Sequence, residues 1–282
     1  MKDESLGLSE TDVQAAVTDK SVAAAAVIEN GALEVRGLGV KYGGFVALDD
    51  VSWSVAPGEI LGIIGPNGAG KSTCMAAITN SVKHVGAVLL DGQDVTGVPT
   101  DRLSRLGLRR TFQQNAFYNE LSVIENASSA LLQHEGTPLW ASVLLPRRET
   151  RQTRRRLAMA GELLTEFGVP SELFGNLPSE IPYGTQRMLS VALAFGSGAK
   201  ALLVDEPAAG VGGSDMRDLA ETLQRIAKTG TALVVIEHHM DLIMSVADRI
   251  VVLDRGAMLA AGTPHEIRTN EKVLEAYLGR AA

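Results

Sequence analysis

Nine residues, Gly65-Pro66-Asn67-Gly68-Ala69-Gly70-Lys71-Ser72-Thr73, carry the spacing G-x-x-x-x-G-K-[ST], and that spacing suits the capture of a chain of phosphates. Small residues let successive backbone N–H groups turn inward around anionic oxygens. A helix starting where the loop ends points its positive terminus at the same anion. Lys71 then reaches the β- and γ-phosphates as a point charge, and the Ser72 hydroxyl is placed to ligate an accompanying Mg2+. The pattern has this meaning only between a strand and a helix. Ile60-Leu61-Gly62-Ile63-Ile64 before it reads as a buried strand, and Cys74-Met75-Ala76-Ala77-Ile78 after it is compatible with a helix. The expectation is binding of a nucleoside triphosphate.

A second acidic element fits the same chemistry. Ala201-Leu202-Leu203-Val204 is an aliphatic run that ends in Asp205-Glu206. A strand ending in Asp sets a carboxylate where it holds the shell of Mg2+, directly or through water. Glu206 is then a candidate general base for an attacking water. Alone, the pair reads equally as an acidic turn capping the next helix; beside a phosphate loop the metal-and-base reading prevails. Guanine-selective enzymes of this kind carry an Asn-Lys-x-Asp tetrapeptide, and the sequence has none. ATP and Mg2+ are therefore the expected cofactors.

These residues need a scaffold, and 282 residues with 45% hydrophobic content are ample for one. Leu33-Glu34-Val35, Phe45-Val46-Ala47-Leu48 and Val51-Ser52-Trp53-Ser54-Val55 alternate as half-buried strands do. The aliphatic runs at 201–204, 232–236 and 250–253 are continuous instead, which marks strands covered on both faces of a largely parallel α/β sheet. From about 121 to 175 no strand signal occurs; Leu121 to His134 and Arg147 to Phe167 read as helices of an insert. Within it Arg147, Arg148, Arg151, Arg154, Arg155 and Arg156 form a basic run, read first as a solvated helix face and secondly as a contact for anionic head groups or a membrane partner. Residues 1–30 carry Asp3, Glu4, Glu10, Asp12, Asp19 and Glu29 against Lys2 and Lys20 and are expected to form a flexible acidic tail.

Several function classes are disfavoured. A net charge of −7 is wrong for a general nucleic-acid binder. One cysteine leaves no intrachain disulfide or cysteine-rich metal centre. No apolar run approaches the roughly 20 residues of a membrane span, and the Ala-rich stretch from Val22 to Ile28 makes a poor signal peptide. The chain reads as cytoplasmic, with any membrane role exercised through partner subunits.

Further residues resemble those of the ATP-binding cassette (ABC) ATPases. Leu177-Pro178-Ser179-Glu180-Ile181-Pro182-Tyr183-Gly184-Thr185-Gln186-Arg187 is similar to that family's Leu-Ser-Gly-Gly-Gln signature, with Gly184 lying 21 residues before Asp205. Tyr42 resembles the aromatic that stacks on adenine. Gln113, in Arg110-Thr111-Phe112-Gln113, resembles the glutamine that touches Mg2+ and the attacking water and relays to the membrane subunit, although Gln114 stands beside it. His238, in Ile236-Glu237-His238-His239, resembles the switch histidine at the γ-phosphate, with His239 adjacent. The resemblance spans about 32–280. It implies a P-loop NTPase fold of the ABC ATPase type in 31–282: a mainly parallel sheet core, an N-terminal antiparallel β portion and a helical subdomain at about 115–198. It also implies two cassettes packed head to tail beneath two transmembrane permease subunits at the cytoplasmic face of the cell membrane.

Tyr183-Gly184-x-Gln186-Arg187, Asp205-Glu206-Pro207-Ala208-Ala209-Gly210, Ile236-Glu237-His238 and the ending Ala276-Tyr277-Leu278-Gly279 are most similar to ATPase subunits of branched-chain amino acid importers, which act with a solute-binding receptor. Relatives serving urea or amide uptake or lipopolysaccharide export share much of the pattern, and a soluble ABC ATPase is a more distant alternative. The sequence departs from the family at Pro182, where the signature has Ser, at Thr185, where Gln is usual, and at Gly212, where Asp or Asn is common. The signature of one cassette serves the ATP of its partner. Pro182 therefore removes a hydroxyl and an N–H from the partner's nucleotide while this chain's own set stays complete, and the expected assembly is a heterodimer.

Overall fold

A computed structural model describes residues 22, 26–27, 31–111, 117–132, 146–196 and 198–278. Most of the acidic leader, Gln113 with Gln114, and the segment 133–145 lie outside the described residues.

The alternating segments form the hairpin β1 (Leu33–Tyr42) and β2 (Phe45–Val55), with Tyr42 paired to Phe45 across the turn at Gly43 and Gly44. Then follow β3 (Ile60–Ile64), α1 (Lys71–Ile78), β4 (Val85–Leu90), β5 (Gln93–Asp94), α2 (Thr100–Leu106) and β6 (Leu108–Arg110). The insert holds α3 (Val123–Leu132) and α4 (Pro146–Glu166), and α5 (Tyr183–Gly196) returns to the sheet. The chain closes with β7 (Ala201–Asp205), α6 (Ser214–Lys228), β8 (Ala232–Ile236), α7 (Met240–Val246), β9 (Arg249–Asp254), β10 (Ala257–Gly262), α8 (Pro264–Thr269) and α9 (Glu271–Leu278).

Two sheets result. One is antiparallel in the order β2-β1-β4-β5; the other runs β10-β9-β3-β8-β7-β6 and is parallel except for β10 on β9. Every residue of β3, β7 and β8 is buried, as continuous aliphatic runs predict. Successive side chains feed opposite cores. Leu61, Ile63, Leu203, Val234 and Ile236 pack with Trp53 and Met75 toward the antiparallel sheet, whereas Ile60, Ile64, Leu202, Val204 and Val235 pack beneath α5, α6 and α7. A third, smaller core joins α3, α4 and α5 through Val123, Ala127, Ala160, Leu164 and Leu189. Strand β6 gives no apolar signal, being Leu-Arg-Arg, and exists because its backbone pairs with β7. Of the arginine run, Arg151, Arg154 and Arg155 are exposed, while Arg156 donates to Thr153 Oγ1 at 3.1 Å.

The sole cysteine, Cys74, lies inside α1 beside the Trp53 indole, and burial pushes its thiol up to about 12. The thiolate is the reactive form, so the native chain is expected to resist iodoacetamide at pH 8.5 and to take up one equivalent once unfolded. Rapid native labelling, read by intact mass, contradicts this. The same shift sets the sign for stability. Above the ordinary thiol value the unfolded chain releases a proton that the folded chain keeps, so this group's contribution to stability is lost as pH rises toward 12.

Candidate active site

The strand register brings the candidate residues to one end of the sheet. Ile63 of β3 pairs with Ile236 of β8, and Ile236 pairs with Asp205 of β7, so three chain segments leave the sheet from one row. The first is the phosphate loop. Gly65 has φ 153°, and a side-chain carbon there would lie 2.1 Å from the Leu253 carbonyl oxygen, so glycine alone fits. Gly70, at φ 104°, caps α1 with the Ala47 carbonyl and Leu48 side chain pressed against it. Gly68 and Asn67 are exposed, Ala69 is buried, and Pro66 is half-buried. Lys71 starts α1, and its Nζ donates to the carbonyls of Gly65 at 2.7 Å and Pro66 at 3.2 Å. Burial pushes the Lys71 amine below its ordinary value, with Glu206 and then Asp205 opposing that shift through their charges. A nearly buried cation thus closes the loop on itself, near two carboxylates. Ser72 is exposed and Thr73 half-buried, on the first turn of α1.

The second segment leaves β7. Asp205 is buried; its Oδ2 accepts from Arg110 Nη2 at 2.7 Å, and its backbone N–H donates to Thr111 Oγ1 at 3.1 Å. Arg110, which sequence reasoning assigned no role, therefore fixes this carboxyl from the polar edge strand β6. Glu206 adopts φ +45° and donates its N–H to the Ile236 carbonyl at 2.9 Å. A left-handed conformation at a non-glycine residue costs on the order of 1–3 kcal/mol and persists where neighbours enforce it. Here the bond to β8 turns the chain out of the sheet and carries the Glu206 side chain beyond the strand end.

The third segment leaves β8. His238 has a half-exposed ring, and His239, the N-cap position of α7, stands with its ring centroid 4.4 Å away. Between them and the sheet sits Glu237, fully buried, whose Oε2 accepts the N–H groups of His238 at 2.8 Å and His239 at 2.9 Å, and whose Oε1 accepts that of Ala208 at 2.7 Å. Glu237 was missed by sequence reasoning: a Glu beside two His gives no sign of burial. The ligand atoms of Glu237, His238 and His239 lie within 4.8 Å of one another, but both Glu237 oxygens are engaged by backbone donors, so the triplet is a hydrogen-bonded turn rather than a set of free metal ligands.

The donor set for a hard cation is oxygen-based, a hydroxyl at Ser72 and a carboxylate at Asp205 whose Oδ2 is already oriented by Arg110. That chemistry suits Mg2+. Tyr42 is half-exposed, and Phe45, its partner across the hairpin, is more so. The same strand β2 brings Ala47 and Leu48 against Gly70, so the hairpin that ends in these two exposed aromatics also packs on the loop.

The signature-like segment lies on the other side of the β7 loop. Pro182 is exposed and precedes α5; its carbonyl accepts from Gln186 N–H at 3.0 Å. It therefore occupies the N-cap position, one step before the first helical turn, where a Ser would also cap the helix. A side-chain carbon at Gly184 would lie 2.6 Å from Asp215 Oδ2, so a carboxylate stands behind this segment. The Tyr183 ring covers Gly210 and sits over the Arg187 guanidinium, 4.9 Å from its centroid.

Known proteins place the fold and the family of the chain. A family model described as ABC transporter matches residues 48–209, and one described as branched-chain amino acid ATP-binding cassette transporter matches 257–282. The high-affinity branched-chain amino acid transport ATP-binding protein LivG of Escherichia coli is 37% identical over 251 residues, covering 88% of this chain and 98% of LivG. BraF of Pseudomonas aeruginosa, which carries the same description, is 35% identical over the same shares. The crystal structure of a nucleotide-free ATP-binding cassette from an ABC transporter superposes with a TM-score of 0.74 at 28% identity, covering 87% of this chain and 98% of that one. The parallel core, the antiparallel N-terminal sheet and the helical insert make this the cassette fold, and the chain belongs to the ABC transporter family.

Proposed function

We propose that this chain is the ATP-hydrolysing subunit of an importer for branched-chain or related amino acids. The observation that carries the chemistry is the single row Ile63–Ile236–Asp205, from which Lys71, Glu206 and His238 all emerge. The match of 257–282 to the branched-chain cassette model favours amino acids over urea, amides or lipopolysaccharide. Adenine stacks on Tyr42, with Phe45 beside it. The loop amides from Gly65 to Thr73 and the Lys71 amine hold the phosphates, the amine leaving its carbonyl partners to do so. Ser72, Asp205 and Gln113 would hold Mg2+, which would supply charge neutralisation to the bound triphosphate. Glu206 orients and polarises the water in line with the γ-phosphate, and His238 steadies that phosphate.

Hydrolysis is coupled to a membrane partner. No helix among the described residues is long and apolar enough to cross a membrane, so the permeases supply the pathway. A cavity of about 640 Å³ lies between β6 and the helical insert, lined by Arg110, Thr111, Phe117, Tyr118 and Asn126 among others. Gln113 falls in sequence between two of these residues, which supports its role as the relay to a permease element seated there. The second cassette is a different chain with an intact signature. Pro182 and the Asp215 carboxylate together leave this chain's signature segment short of a hydroxyl and close to a negative charge.

Glu206→Gln is expected to lower ATP turnover in the assembled transporter by about 10²–10⁴-fold while ATP binding is retained, measured by phosphate release and by equilibrium binding of a fluorescent ATP analogue. Unchanged turnover removes Glu206 from the mechanism. The purified chain alone is expected to hydrolyse ATP weakly and to gain at least about tenfold when its partner cassette is added. Pro182→Ser is expected to raise the activity of the chain alone by about tenfold, the worth of one hydrogen bond to a charged acceptor. Robust turnover by the wild-type chain alone overturns the heterodimer.

A further inference from the structure

Glu237 has no exposed surface, and backbone donors surround its carboxylate in place of a counter-ion. Its Oε1 accepts Ala208 N–H at 2.7 Å, and its Oε2 accepts His238 and His239 N–H at 2.8 and 2.9 Å. The imidazole Nδ1 of His238 stands farther off, at 3.6 Å. The donors belong to two segments that leave neighbouring strands, the turn after β8 that carries His238 and the loop after β7 that carries Ala208. The second segment continues to Gly210, where a side-chain carbon would lie 2.8 Å from the Tyr183 ring at the start of α5. Contacts thus run without a gap from His238, through Glu237 and the 207–210 loop, to the segment that holds Pro182 and Gly184.

A carboxylate buried away from water is costly to strand. If either segment moved alone, Glu237 would lose one or two donors in a dry interior, so the low-energy motions are those in which both segments move together. We propose that Glu237 is a positioning residue that locks the His238 turn to the Ala208 loop, so that the state of the γ-phosphate in this chain's own site is passed to the signature segment serving the partner's site. The inference rests on the reading of His238 as the γ-phosphate contact and of the cassettes as a head-to-tail pair.

The test uses the full chain assembled in its transporter. Glu237→Gln keeps the size but sets an amide NH2 against a backbone N–H. Glu237→Asp keeps the two bonds to the following N–H groups, as an Asx turn does, and is one methylene too short for Ala208. Both are expected to lower kcat at least about tenfold with KM for ATP within about twofold of wild type. A kcat within twofold of wild type in either variant overturns the proposal, as does a rise in KM that accounts for the whole loss. If a variant fails to assemble, amide hydrogen exchange in the wild-type chain decides: Ala208, His238 and His239 are expected to gain protection together when ATP is added, and independent responses overturn the link. His238→Ala, run alongside, separates the two levels. Unchanged turnover in that variant refutes the assignment of His238, whereas loss in His238→Ala with none in the Glu237 variants refutes only the role given to Glu237.

Discussion

The constraint on which the rest depends is the two-sided burial of β3, β7 and β8. Strands buried on both faces can present functional groups only at their ends, and parallel strands present equivalent ends together. The register makes this concrete, because Ile63, Ile236 and Asp205 lie in one row. The segments leaving these strands then converge without any direct sequence relationship: a glycine loop after β3, an acidic pair at the end of β7, and a Glu-His-His turn after β8. A one-residue slip of β7 against β8 would exchange the faces of its side chains between the two cores, so packing enforces the register that chemistry needs. Leu202 and Val204 belong to one core and Leu203 to the other, and no shifted pairing preserves both.

Three acidic groups sit close to that row, and each is managed by a different physical means. Arg110 neutralises Asp205 through a 2.7 Å ion pair. Glu206 faces Lys71, whose buried amine feels its charge more strongly than that of Asp205. Glu237 is stabilised by N–H donors alone. The division separates roles. A carboxylate solvated by backbone is fixed to that backbone and suits positioning. One paired to a side chain on an edge strand keeps its other oxygen for a metal shell, and one held beyond the strand end at positive φ lies where water can reach it.

Local pattern made part of this legible in the sequence. The loop from Gly65 to Thr73, the aliphatic runs of β7 and β8 and the helical insert all announce themselves within a dozen residues, because each is set by spacing or by continuous burial. Strand β6 does not, since Leu-Arg-Arg becomes a strand only by pairing with β7. Arg110 and Glu237 were likewise invisible, for their partners lie 95 and 29 residues away. The sequence assigns Phe45 only to a strand; its place opposite Tyr42 needs the hairpin register. The sequence shows that Pro182 lacks a hydroxyl and an N–H, but only its position at the N-cap of α5 reveals a further consequence, the loss of a side-chain cap.

The phosphate-loop end and the α5 end of this network are held differently. Lys71 is held within its own loop by the carbonyls of Gly65 and Pro66, whereas Asp205 and Glu237 are held by donors from other segments, Arg110 and Ala208. At the start of α5, Pro182 supplies no hydroxyl, N–H or side-chain cap, and Asp215 stands against Gly184. The positive end of α5 favours an anion, and the Asp215 carboxylate lies against the same turn. The two sides are joined through the 207–210 loop, with Glu237 at one end and the Tyr183 ring over Gly210 at the other.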